Sequence, residues 1–127
     1  MRVLLADDDR VLTHYLSSQL RSKGCDVVVV HDAMQLLTAA MRSAPDVIVL
    51  DIQMPGGTGR EALRKLKQST KTAHIPVLVL TGLPDADLPA AVRSLGAAAF
   101  ALKPIEADGL DERVQSVLRD DTGNDAD

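Results

Sequence analysis

Several polar residues in this chain of 127 residues stand directly behind apolar runs, and their types suit chemistry on a phosphoryl group. They are Asp7-Asp8-Asp9, Asp51, Thr81 and Lys103. Carboxylates are ligands that Mg²⁺ takes in proteins, and an aspartate can act as a nucleophile. A lysine ammonium and a threonine hydroxyl can both donate to phosphoryl oxygens. Together these residue types fit phosphoryl transfer, in which catalysis is mostly positioning and charge neutralisation.

The stretch before Asp51 is the clearest strand in the sequence. Val47–Leu50 are four consecutive large aliphatic residues, three of them β-branched, between Pro45-Asp46 and Pro55-Gly56-Gly57. The run is too short for a helix between such breakers and predicts a strand buried on both faces. Asp51 ends that strand, where a parallel α/β sheet opens its ligand crevice.

The rest of the chain alternates short apolar runs with amphipathic helical patterns. We predict strands over residues 3–6, 26–30, 47–50, 76–80 and 97–102. We predict helices over residues 10–23, 32–43 with Asp32 as N-cap, 60–67, 85–95 and 106–119. Because Pro89 is tolerated only in a first turn, we expect the fourth helix to be short or to start late.

This alternation indicates an α/β fold. Short connections between strands and helices imply a five-stranded parallel sheet with helices on both faces. The common solution at this size is strand order 2-1-3-4-5, the flavodoxin-like doubly wound arrangement. In that topology the residues behind strands one, three, four and five converge on one edge of the sheet. Three carboxylates within about 5 Å of one another repel by roughly 3 kcal/mol per pair at an effective dielectric near 20, so the cluster calls for a cation.

The composition favours a single aliphatic core. Hydrophobic residues make up 46% of the chain, but Trp is absent and Phe and Tyr occur once each. The core must therefore be packed with Val, Leu, Ile and Ala. We predict one domain over residues 1–119, followed by an acidic disordered tail or linker over residues 120–127.

Charge and cysteine content argue against several functional classes. The net charge of −4 disfavours direct nucleic-acid binding by this domain, which would need a basic face. Cys25 is the single cysteine and cannot form an internal disulfide. No apolar stretch approaches the ~20 residues of a membrane span and no signal peptide opens the chain, so we expect a soluble, cytoplasmic protein without a membrane partner.

The combined motif resembles the receiver domain of response regulators in two-component signal transduction. The matching residues are Asp7-Asp8 after the first strand, Asp51 within Asp-Ile-Gln-Met-Pro-Gly-Gly-Thr-Gly, Thr81-Gly82 and Lys103-Pro104. The resemblance spans about residues 1–119. It implies that Asp51 accepts a phosphoryl group from a phosphohistidine of a sensor histidine kinase or histidine phosphotransfer protein. It also implies a signalling switch that catalyses only its own phosphorylation and dephosphorylation, and a possible receiver homodimer.

The same resemblance assigns the remaining site residues. It implies that Mg²⁺ is held by Asp8, Asp51 and the backbone carbonyl of Gln53, with Asp7 helping through water. Asp9 is the least well supported of the three leading acids.

By the same resemblance, Lys103 and Thr81 would bind the phosphoryl oxygens. Thr81 and Phe100 would form the switching pair, which remodels the face made by helix four, strand five and helix five to control a partner or output domain.

Other interpretations stay open for these residues. Asp7-Asp8-Asp9 taken alone fits a helix-capping turn, Thr81 fits turn chemistry, and Lys103 and Phe100 fit a surface and a core-filling role. His14, His31 and His74 are interpreted as structural or surface residues.

Three rival functions remain for the whole chain. A receiver-like interaction module that is never phosphorylated is the main alternative. A haloacid-dehalogenase-like phosphatase would place its nucleophile after the first strand with an acid two residues later, whereas Asp51 follows the third strand and precedes Gln53. In a flavin-binding flavodoxin-like domain, three leading acids would repel the cofactor's phosphate.

Overall fold

A parallel sheet of five strands alternates with five helices in the computed structural model, which describes residues 1–54, 59–82 and 86–123. The strands are β1 Arg2–Ala6, β2 Asp26–Val30, β3 Val47–Leu50, β4 Val77–Thr81 and β5 Ala99–Leu102. The helices are α1 Arg10–Ser22, α2 Ala33–Ser43, α3 Gly59–Gln68, α4 Leu88–Ser94 and α5 Ala107–Gly123. All four strand pairings are parallel, in the order β2-β1-β3-β4-β5. The predicted fold class and strand order are therefore confirmed.

The core has two layers because strand side chains alternate between the two faces of the sheet. In β1, Leu4 and Ala6 join a cluster that includes side chains of α2, α3 and α4. Val3 and Leu5 join the other cluster, with side chains of α1 and α5. The sheet is thus covered on both faces, which explains why its central strands are continuous aliphatic runs.

The helix starts beside the sheet are set by aspartate caps. The Asp9 side chain accepts a hydrogen bond from the N–H of Leu12 at 3.0 Å, at the start of α1. The Asp32 side chain accepts from the N–H of Gln35 at 2.8 Å, at the start of α2. Such caps satisfy backbone donors of the first turn and fix where each helix begins.

The fourth helix is short, as the position of Pro89 predicts. It begins at Leu88 and carries Pro89 in its first turn, where the missing N–H has no partner to lose. The predicted start at Asp85 lies outside the described residues. The fifth strand begins at Ala99 and not at Ala97, because the N–H of Ala97 closes the end of α4 by donating to the carbonyl of Val92.

The end of the last helix differs from the prediction. Helix α5 continues to Gly123, whereas the sequence pattern placed its end at Arg119 and predicted disorder from residue 120. The backbone is therefore helical over residues 120–123, because helical propagation carries it beyond the last apolar position. The domain boundary at residue 119 and the disordered tail stay predictions. Residues 124–127 lie outside the described residues, as do the predicted turn at Pro55-Gly56-Gly57 and Thr58 of the motif.

Among the described helices, none combines the length and hydropathy that crossing a bilayer requires.

Candidate functional site

The ends of four strands bring the predicted site residues to one edge of the sheet. Asp7 follows β1, Asp51 follows β3, Thr81 is the last residue of β4, and Lys103 follows β5. The N–H of Asp51 donates to the carbonyl of Ala6 at 2.8 Å, and the N–H of Lys103 donates to the carbonyl of Thr81 at 2.8 Å. These bonds extend the strand pairing by one residue, so the sheet itself positions the backbone of Asp51 and Lys103.

Three carboxylates meet at this edge. One carboxylate oxygen from each of Asp7, Asp8 and Asp51 can be chosen so that all three lie within 4.8 Å of one another. Asp7 and Asp51 are buried, with 2% and 4% of their surface exposed, whereas Asp8 is open to solvent. The cluster therefore combines two buried negative charges with one accessible one.

Lys103 partly neutralises the cluster. Its Nζ lies 2.6 Å from Oδ2 of Asp7 and 3.5 Å from Oδ2 of Asp51. Burial by itself lowers the pKa of Lys103, but the hydrogen bond and charge of Asp7, together with Asp51, outweigh burial and raise it. The lysine is thus held as a cation at the site.

The surroundings of Asp51 raise the pKa of its carboxyl group. Burial is the main cause that raises its pKa from 3.8 to about 6, and the charge of Asp7 adds to it. The N–H of Gln53, 3.0 Å from Oδ1 of Asp51, and the charge of Lys103 act in the opposite direction without cancelling the rise. The site therefore holds more negative charge than one lysine balances.

This donor set fits a hard divalent cation. All three side chains offer oxygen, and the exposed Asp8 leaves one side of the cluster accessible to a partly hydrated ion. Mg²⁺ binds through one or two carboxylates and keeps several waters, so few protein ligands suffice.

Thr81 and Phe100 share one face of the sheet. Thr81 is fully buried and follows Val77 and Val79 at alternate positions of β4. Phe100 pairs in register with Val79 and packs against the cluster that contains both valines. Because alternate strand residues point to the same face, the hydroxyl of Thr81 and the half-buried ring of Phe100 lie on the same side.

Asp9 and Gln53 have contacts that the sequence did not specify. Asp9 caps α1, so the capping interpretation holds for this residue, and its N–H donates to Oδ1 of Asp7 at 3.0 Å. Gln53 contacts the site through its N–H on Asp51. The role of its carbonyl as a metal ligand stays a prediction.

His31, which the sequence predicts to be a structural or surface residue, contacts the backbone of the site. Its Nδ1 lies 2.9 Å from the backbone carbonyl of Asp7. Since a carbonyl oxygen only accepts, Nδ1 is the donor in this contact. His31 directly follows β2, the neighbour of β1. The contact is with a backbone carbonyl, which agrees with a structural role for this histidine.

A family model and related sequences match this chain. The model described as the response regulator receiver domain matches residues 3–115. The chain is 40% identical over 119 residues to the C4-dicarboxylate transport transcriptional regulatory protein DctD of Pseudomonas aeruginosa, covering 92% of this chain and 25% of DctD. It is 36% identical over 118 residues to the response regulator PleD of Caulobacter vibrioides, covering 93% of this chain and 26% of PleD. The chain thus spans about a quarter of the length of these two relatives.

Solved structures agree with the sequence matches. The chemotaxis response regulator CheY4 of Vibrio cholerae superposes with a TM-score of 0.85 at 27% identity, covering 91% of this chain and 97% of CheY4. The receiver domain of the Francisella response regulator 1452 superposes with a TM-score of 0.84 at 27% identity, covering 93% of this chain and 96% of that domain. The chain therefore belongs to the family of response regulator receiver domains, the phosphorylation-based switches of two-component signalling.

Proposed function

We propose that Asp51 accepts a phosphoryl group from a phosphohistidine of a sensor histidine kinase or histidine phosphotransfer protein, in a reaction that depends on Mg²⁺. The observation that carries this proposal is the placement of a buried, undercompensated Asp51 beside two further carboxylates and one lysine. A carboxylate in such surroundings can act as a nucleophile toward phosphorus once a cation balances the negative charges of the cluster and of the incoming phosphoryl group.

The chemistry follows from the groups present. One carboxylate oxygen of Asp51 attacks phosphorus, so an O–P bond forms while the P–N bond to the donor imidazole breaks. The imidazole keeps the bonding electron pair and takes up a proton. Lys103 and the hydroxyl of Thr81 then donate to phosphoryl oxygens. Such charge-assisted hydrogen bonds are roughly twice as strong as neutral ones.

The acidic cluster would also explain why the reaction depends on Mg²⁺. Asp8, Asp51 and the backbone carbonyl of Gln53 would hold Mg²⁺, with Asp7 contributing through water. When bound, the ion would supply the positive charge that lets a phosphoryl group approach the carboxylates. Asp7 would meanwhile keep Lys103 oriented toward the acceptor.

The output would run through the face formed by α4, β5 and α5. Phosphorylation would draw the Thr81 hydroxyl toward the phosphoryl group and let the Phe100 ring turn inward, changing this face for a partner, an output domain or a second receiver. Moving such a switch from 1:99 to 99:1 takes about 5.5 kcal/mol of preference for the active state. Several charge-assisted bonds to one phosphoryl group are of that order.

Intact-mass spectrometry tests the proposal. The protein is incubated with a small phosphodonor and Mg²⁺, and we expect the mass of one added phosphoryl group. The addition should be lost in Asp51→Asn and when the metal is chelated. The matched control is Asp32→Asn, because asparagine replaces aspartate well at an N-cap. A wild-type protein that stays unmodified would instead favour an interaction module that never carries phosphate.

A further inference from the structure

A second polar cleft lies between α1 and the edge strand β2 and adjoins the acidic cluster at His31, whose ring contacts the backbone carbonyl of Asp7. It encloses about 320 Å³, which is within the range of small-molecule sites. The side chains that define its character are Arg10, Thr13, His14, Ser17, Arg21 and His31. No carboxylate lines it within the part of the chain that the structure describes.

The cleft is cationic although the whole chain carries a net charge of −4. Arg10, His14 and Arg21 follow one another at spacings of four and seven residues, which places them on one stripe of α1. Among the described residues, none of the three forms a salt bridge with an acid. The positive charges of Arg10 and Arg21 are therefore available to a ligand, and the His14 ring adds a nitrogen that can form a hydrogen bond.

The guanidinium of Arg21 is held in place by the neighbouring strand. Its Nη2 donates to the backbone carbonyl of Val27 at 2.9 Å. A guanidinium has five N–H donors in a rigid fork, so the remaining donors can serve an anion. This anchoring reduces the side-chain freedom that binding would otherwise cost.

Small hydroxyl side chains keep the cleft open. Thr13 and Ser17 are each only 2% exposed, and their hydroxyls donate to the carbonyls of Arg10 and His14, both at 3.2 Å. The adjacent stripe of α1 carries leucines that fill the core. Residues as large as leucine at positions 13 and 17 would fill the space that the hydroxyl residues leave. The floor of the cleft is therefore polar, and the buried hydroxyls of Thr13 and Ser17 each have a hydrogen-bond acceptor.

We propose that this cleft binds the phosphate group of a small anionic molecule. Arg10 and Arg21 lie about 16 Å apart along the axis of α1, so a single phosphate would be held mainly by the anchored guanidinium of Arg21 with the ring of His14. The lack of a lining carboxylate avoids repulsion. The cleft volume accommodates a phosphate with a small organic substituent. The site is separate from Asp51 and does not rest on the proposed phosphorylation.

NMR titration of an Asp51→Asn protein without Mg²⁺ tests this inference alone, since the acidic cluster then has neither its acceptor nor a metal. Inorganic phosphate, pyrophosphate and AMP are added separately at constant ionic strength, and the Arg21 side-chain N–H and His14 ring signals are followed. We expect saturable shifts with at least one probe. Equal affinity for phosphate and AMP would show recognition of the phosphate alone, and tighter AMP binding would show that the organic part contributes.

Matched variants make the test specific. Arg21→Gln should weaken the binding by about tenfold or more, because an arginine–phosphate contact is charge-assisted and directional. Arg64→Gln on α3 should leave the affinity unchanged, since it loses only an exposed pair with Glu61. Shifts that stay linear with every probe, or equal affinities in wild type and Arg21→Gln, would overturn the proposal. Thermal melting of each variant checks that it is folded.

Discussion

Lys103 lies closer to Asp7 than to Asp51: its Nζ is 2.6 Å from Oδ2 of Asp7 but 3.5 Å from Oδ2 of Asp51. The lysine therefore neutralises the charge of Asp7, the supporting acid, more fully than the charge of Asp51, the proposed acceptor. This agrees with the pKa of Asp51, which burial raises to about 6 despite the neighbouring cation. In the unphosphorylated site the carboxylate of Asp51 is thus not tightly paired, and the ammonium of Lys103 lies 3.5 Å away.

Replacing Lys103 by methionine should separate metal binding from phosphoryl transfer. Without the ammonium, the three carboxylates lose a competing cation, so we expect Mg²⁺ to bind several-fold more tightly. Phosphorylation should slow by about tenfold or more, because a charged donor to the phosphoryl group is lost. Isothermal titration calorimetry measures the Mg²⁺ affinity, and intact-mass time courses measure the phosphorylation rate. Lys65→Met on α3 is the control, and weaker Mg²⁺ binding in Lys103→Met would contradict this view of the lysine.

The stability of the protein should depend on pH through Asp51. Because the pKa of Asp51 is raised from 3.8 to about 6 in the folded state, folding favours its protonated form. The wild type should lose stability from this group as pH rises from about 4 to about 6, with a constant penalty above that range. Asp51→Asn should therefore be more stable above pH 6 by about 1–3 kcal/mol, since each tenfold difference in proton affinity is worth about 1.4 kcal/mol. Urea unfolding in metal-free buffer measures this difference, which should shrink toward pH 4.

The start of α3 should not tolerate a side chain. A Cβ on Gly59 would lie 2.4 Å from both the Cα and the carbonyl oxygen of Ile52, which are backbone atoms and cannot move aside cheaply. Gly59→Ala should cost about 1–3 kcal/mol in the free energy of unfolding, as overpacking does elsewhere. Gly82→Ala is the control, because nothing lies within 4 Å of its added Cβ. Denaturant unfolding compares the two, and equal stabilities would show that the close contact at Ile52 is not maintained in solution.

The proposed switch can be followed at a single ring. Phe100 is the only phenylalanine in the chain, so its aromatic NMR signals are easily assigned. We expect these signals to shift on treatment with a phosphodonor and Mg²⁺, since a half-buried ring that turns inward enters a new environment. Thr81→Val should still be phosphorylated while the ring response is much reduced, because the hydroxyl that links the two events is gone. A full Phe100 response in Thr81→Val would exclude this coupling.

Much of the fold was predictable because the central strands β1, β3 and β4 are buried on both faces. Val47–Leu50 is an unbroken aliphatic run that admits one interpretation, and once the strand order is set, Asp51 and Lys103 must share an edge. Helix ends were less predictable. The last apolar residue of the α5 pattern says little about where the backbone hydrogen bonds stop, so the helix continues to Gly123.

Within the site, residue types were predictable but their individual contacts were not. The sequence does not show that Asp9 caps α1 while Asp7 binds Lys103, because aspartates two positions apart differ only in the direction that the backbone gives their side chains. His31 reaches the carbonyl of Asp7 from the neighbouring strand, a contact between residues far apart in the chain. Such contacts depend on register and rotamer, which a single sequence does not specify.

The identity of the phosphorylated residue tests the central claim most directly. After treatment with a phosphodonor and Mg²⁺, borohydride reduction converts an aspartyl phosphate to homoserine, and peptide mass spectrometry locates the modified position. We predict homoserine at position 51 alone. Homoserine at position 7 or 8, or a phosphoryl group that survives reduction on another residue type, would contradict the assignment of Asp51 as the acceptor.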